Sequence, residues 1–124
     1  MSRHAPLIGI ALVVVSACAG RSPAKYRTDT HSLLYARSTS LEACYKNALT
    51  KNAGANGTVT VHFVVEAKTG RIVRPTIDTK RTSAPQELMF CVLEAVDGLQ
   101  LQPPDANEGH ATFVYEFKRP PAES

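Results

Sequence analysis

Thr58-Val59-Thr60-Val61-His62-Phe63-Val64-Val65-Glu66 decides the fold. Val59, Val61, Phe63 and Val65 point one way, and Thr58, Thr60, His62 and Val64 point the other. A period of two is the signature of a strand with one buried face. Ala67-Lys68-Thr69-Gly70 follows as a hairpin turn, with Gly late in the loop. Residues 71–78 form the return strand. Pro75 within it donates no hydrogen bond, which predicts a bulge or a strand end there. A third alternating run spans 110–118. Ala111, Phe113, Tyr115 and Phe117 line its apolar face, and Thr112, Val114 and Glu116 the other.

Two amphipathic segments frame these strands. Residues 39–53 read as a helix, with Thr39 and Glu42 at capping-box spacing. Its face carries Leu41, Cys44, Ala48 and Leu49. Residues 83–97 read as a second helix. Ser83 and Gln86 repeat the capping-box spacing, Pro85 is tolerated in the first turn, and Gly98 sits where a helix stops. Leu88, Cys91, Val92 and Ala95 form its stripe. Leu99 to Pro104 then leads out as an extended segment ended by prolines. The order is helix, strand, strand, helix, strand. The expected fold class is α+β, with two helices in one layer on a three-stranded antiparallel sheet.

Cys44 and Cys91 lie on the apolar stripes of different helices that face the same sheet. In an oxidising compartment, thiols so placed read as a disulfide. Two buried free thiols, acting as small apolar residues, are the plainer reading. A metal site lacks supporting C-x-x-C or H-x-x-x-H spacing, and a redox pair lacks an adjacent resolving thiol. No metal and no cofactor are expected.

The third cysteine, Cys18, closes a different pattern. Arg3 and His4 give a short basic start, residues 7–15 are apolar apart from Gly9, and Val15-Ser16-Ala17 precede Cys18. This is the layout of a secretory leader, too short for a span of about 20 residues. The quartet ending in Cys18 resembles a bacterial lipobox. That resemblance implies cleavage of residues 1–17, a lipid thioether on Cys18, and an anchored protein. By resemblance to Gram-negative sorting rules, Ala19 after it implies the outer membrane, at its periplasmic face. An ordinary leader cut near Ser16 or Ala19 is the simpler alternative. About 107 residues then remain, enough for one small domain. Residues 18–37 are mostly polar and read as a flexible tether, about 60 Å when fully stretched. Leu33-Leu34-Tyr35-Ala36 interrupts them as an extra helical turn docking on the domain. The domain itself spans 38–118, and 119–124 reads as a disordered tail.

The ordered set runs Cys44-Tyr45 with Ala48-Leu49, Gly57 to Phe63, Gly70-Arg71-Ile72-Val73, Cys91-Val92 and Tyr115-Glu116-Phe117. Together it resembles the C-terminal domain of AgmX/PglI-type gliding-motility proteins, itself similar to the TonB C-terminal domain. The resemblance covers essentially the whole globular part. It implies a non-catalytic periplasmic domain that binds another envelope protein by adding its extended peptide to a sheet edge. Pro75 spoils one edge, so the last strand, with Thr112, Val114 and Glu116, is the candidate binding edge. The plainer reading is that Glu116, Lys118 and the tail simply protect that edge.

Chemistry elsewhere is sparse. The formal charge is only +3, with Lys and Arg scattered, and aromatics are 6% with no Trp. Neither a nucleic-acid patch nor a base-stacking platform follows. His62 and Glu66 share a strand face without a nucleophile, and no glycine-rich phosphate loop opens a helix. The expectation is a non-enzymatic, lipid-anchored adaptor in envelope transport or motility. The alternative is a structural envelope lipoprotein with no peptide capture.

Overall fold

A computed structural model describes residues 7–16 and 21–118. Cys18 and the tail 119–124 lie outside the described residues. The elements are β1 (Leu7–Ser16), α1 (Pro23–Tyr35), α2 (Ser38–Lys51), β2 (Gly57–Val65), β3 (Ile72–Ile77), a 3-10 turn (Thr79–Arg81), α3 (Gln86–Val96) and β4 (Gly109–Lys118). All strand pairs are antiparallel, in the order β1-β4-β2-β3. The α+β class expected from alternation is what forms, but among the described residues with four strands and three α-helices rather than three and two.

The alternation of β2 and β4 builds the core. Val59, Val61, Phe63 and Val65 are all buried, as are Ala111, Phe113, Tyr115 and Phe117. Phe63 stacks on Phe113 at 5.7 Å between ring centres. Leu41 and Tyr45 of α2 and Leu88 and Val92 of α3 close over them in one cluster. Non-directional burial of aliphatic and aromatic area drives this layer together. The Tyr45 hydroxyl, buried with its ring, donates to the Ala55 carbonyl at 2.9 Å, so its polar end is not stranded. Cys44 and Cys91 form a disulfide with Cα atoms 5.8 Å apart, stapling α2 to α3.

Neither expected capping box forms. α2 begins at Arg37 without a side-chain cap, and α3 begins after Pro85, likewise uncapped. Ser83 turns to the sheet instead, where its Oγ accepts from the Thr58 amide at 2.9 Å. Thr82 Oγ1 accepts from the Thr60 amide at 3.0 Å, and Thr60 Oγ1 donates to the Arg81 carbonyl. Residues 81–84 thus satisfy the stretch of β2 that β3 does not reach.

The bulge expected near Pro75 is present. The β2–β3 register shifts between His62 and Val64, opposite Arg74, which takes φ 53°. Beside it, the extended segment after α3 runs along the start of β3. Leu101 N–H donates to the Gly70 carbonyl at 2.7 Å, and Ile72 N–H donates to the Leu99 carbonyl at 2.9 Å. The outer edge of β3 is therefore part paired and part proline.

One expectation about the N-terminal third is corrected. The flexible tether expected over 18–37 is mostly helix. Ser22 caps α1 by accepting from the Lys25 amide at 3.1 Å, Pro23 sits in its first turn, and Tyr26, Thr30 and Leu34 are buried against the core. The expected extra turn at 33–36 is the end of this helix. The apolar run 7–16, read as part of a leader, takes the form of the ten-residue strand β1.

A candidate strand-binding edge at β4

β4 carries the three residues expected to line a binding edge. Thr112, Val114 and Glu116 do share the face away from the helices. In the described structure, however, β4 is not an edge. β2 pairs along one side, from Gly57↔Phe117 to Val65↔Gly109. β1 pairs along the other, from Leu7↔Lys118 to Ser16↔His110, with one register shift between Leu12 and Val14. Two independent runs of alternating or apolar residues meet β4 from opposite sides, and it accepts both along its length.

The slot that β1 occupies has two walls. β4 supplies the hydrogen-bonding wall. α1 supplies the second, packing directly on β1. A Cβ placed at Gly109 would collide with the Tyr26 hydroxyl and ring, so Tyr26 of α1 rests on the first residue of β4. Ile8 and Ile10 are half-buried against the core cluster, while Gly9 between them is exposed opposite Glu116. At residues 8–10 the occupant thus turns two isoleucines inward and a glycine outward.

α1 is fastened by a partly buried ion cluster. Arg21 Nε donates to Asp29 Oδ2 at 2.8 Å, and Nη1 donates to Asp105 Oδ1 at 2.7 Å. The Arg21 hydrogen bond holds the Asp29 carboxyl below the usual carboxylate range, against the opposing effect of burial. This links the N-terminus of α1 to the loop before β4. Nothing local in the sequence announced it, because Arg21 and Asp105 lie 84 positions apart.

On the outer face, Thr112 is held rather than free. Its Oγ1 lies 2.7 Å from His62 Nδ1, and His62 Nε2 lies 3.0 Å from Asp78 Oδ2. A carboxylate only accepts, so Nε2 carries the proton, and in the neutral ring Nδ1 accepts from the Thr112 hydroxyl. The partner of His62 is therefore Asp78, not Glu66, which instead accepts from Thr69 Oγ1 at 2.8 Å. The connectivity Thr–His–Asp is that of a nucleophile, base and orienting acid. Here Thr112 is in mid-strand and only 8% exposed, and the chain of bonds clamps β4 to β2 and the end of β3.

This clamp has a pH signature. The His62 hydrogen bond, with lesser help from Arg81, holds the Asp78 carboxyl below its ordinary value. A depressed carboxylate contributes stability that is present above the unfolded-state pKa and lost as pH falls through the folded one. Asp78→Asn is expected to flatten the fall of the denaturation midpoint between about pH 5 and pH 3. An unchanged slope in a urea series would refute the clamp.

Among the described residues, no His, Cys, Asp or Glu cluster of three could hold a metal ion, and no helix is long and apolar enough to cross a membrane. No family model, curated protein or solved structure matches this chain.

Proposed function

We propose that the chain is a lipid-anchored envelope adaptor. Residues 1–17 leave as a leader, Cys18 carries lipid, and the remaining domain captures an extended segment of an envelope protein along β4. The observation that carries this reading is the asymmetry of the sheet edges. β3 is closed by Pro75, the Arg74 bulge and the 99–101 strip, whereas the far side of β4 accepts a ten-residue strand. Loss of β1 turns that side into an open edge flanked by an apolar wall. The resemblance to TonB-like and AgmX/PglI C-terminal domains points to the same mode of binding. The function needs no catalysis, and the Thr112–His62–Asp78 clamp serves the sheet.

Anchoring is close. Cys18 lies three residues before Arg21, so at most about 11 Å of chain separates the lipid from the packed domain. The adaptor rides at the membrane surface, on the periplasmic face of the outer membrane, rather than on a long tether.

A photo-crosslinking residue at Glu116 tests the reading in cells. One dominant envelope protein, captured at Glu116 and not from the opposite edge at Thr76, is the expected result. Lipid and abundant porins alone would overturn peptide capture and leave a structural lipoprotein.

A further inference from the structure

We infer that the leader is a built-in blocker of the binding groove, and that its Ile8-Gly9-Ile10 stretch displays the ligand the groove takes: an extended aliphatic segment of another protein, antiparallel to β4, with branched aliphatic residues two positions apart turned to the core side beneath α1. This rests on the strand-addition reading above and adds both the ligand's chemistry and its regulation.

Three observations meet here. β1 pairs with β4 from Leu7 to Ser16, interrupted only at the register shift between Leu12 and Val14, and so covers the edge a competing segment would need. Ile8 and Ile10 enter the core side, where the cluster includes Tyr26 and Leu34 of α1. Gly9 faces Glu116 on the open side, where bulk gains no burial. The groove is therefore read by alternate aliphatic side chains on one face and by backbone hydrogen bonds along the edge. A ligand that alternates in the same way makes the same contacts.

Blocking follows from tethering. β1 is joined to α1 through residues 17–22 alone. Such a short connection gives an effective concentration of about millimolar order. Against a ligand of similar intrinsic affinity, about 10 μM, that weakens binding about 100-fold. Cleavage before Cys18 converts the blocker into a free fragment at vanishing concentration. The uncut precursor is then silent, and binding competence begins only after the protein has been exported and processed.

The test compares three forms in one detergent. They are the processed chain from membranes, the uncut full chain carrying Cys18→Ala, and that uncut chain with Gly9→Cys and Glu116→Cys. A Cβ at Gly9 would lie 3.8 Å from Glu116 Cβ, close to the typical disulfide spacing of about 3.8 Å, so the added pair should lock β1 in place. The probe is a labelled synthetic peptide of the Leu7–Ser16 sequence flanked by lysines, with a control in which the Ile8 and Ile10 positions are aspartate. The processed chain should bind the probe at least about tenfold more tightly than the uncut chain. The locked chain should not bind it, and the aspartate control should bind none of the three. Equal affinity of processed and uncut chains would overturn the blocking and leave strand addition standing. No binding by any form would overturn the groove itself, and failure of the added disulfide to form would remove β1 from β4.

Discussion

Replacing Cys44 and Cys91 together with alanine is expected to lower the unfolding free energy by about 3 kcal/mol. The bond joins residues 47 positions apart, so in the chain-entropy model it removes a large share of the unfolded chain's freedom, with about 4 kcal/mol as an upper figure. The native state contributes too, since Cys91 is buried where α2 and α3 meet. A domain of this size has a net stability of about 5–10 kcal/mol, so the loss is a large fraction. The melting temperature should drop by about 15 °C. Thermal unfolding of the double variant measures it, with alkylation of the unreduced native protein as a companion. Two reactive thiols in the native protein, or a melting temperature within 2–3 °C or so of the parent, would contradict the staple.

The second large effect is expected at Gly70. Its φ is +75°, in the left-handed region, and an added Cβ would collide with the carbonyl oxygen of Leu101. The same backbone contact carries the Leu101-to-Gly70 hydrogen bond that fastens the 99–101 strip to the start of β3. Gly70→Ala must therefore bear both the left-handed backbone, about 1–2 kcal/mol, and displacement of the strip, for about 3 kcal/mol in all. Gly98 is the internal control. Its φ is +77° but a Cβ there meets nothing within 4 Å, so Gly98→Ala should cost only about 1–2 kcal/mol. Urea denaturation of both variants separates steric from conformational cost. Equal losses would show that the strip does not bear on Gly70. Because the strip closes the β3 edge, Gly70→Ala should also raise self-association, which sedimentation reads directly.

The central fold was legible because β2 and β4 alternate without interruption and their inward residues are all aliphatic or aromatic. The cysteine pair was legible because each thiol sits on a helix stripe, and stripes facing one sheet must meet. The N-terminal third was not, for two physical reasons. The run 7–16 is apolar at every position except Gly9 and Ser16, so it satisfies the demands of a secretory leader and of a buried strand equally. α1 hides its packing face, since only Tyr26, Thr30 and Leu34 are buried and the middle one is a threonine. The Ser22-Pro23 start was the available signal for that helix. Ser83 shows the opposite error: a capping-box spacing was present, yet the hydroxyl was claimed by a β2 amide that only the tertiary fold brings near. Pro75 alone singled out β4 as the candidate binding edge, but nothing in the sequence placed the chain's own β1 upon it.

Amide hydrogen exchange along β4 tests the central claim most directly. Backbone groups facing β1 alternate with those facing β2, so the two rows report separately. Both rows are expected to be protected in the uncut Cys18→Ala chain. In the processed chain only the β2-facing row should stay protected, while the other exchanges as an open edge does. Equal protection of both rows in both forms would contradict strand capture, because β4 would then have no free edge to offer a partner.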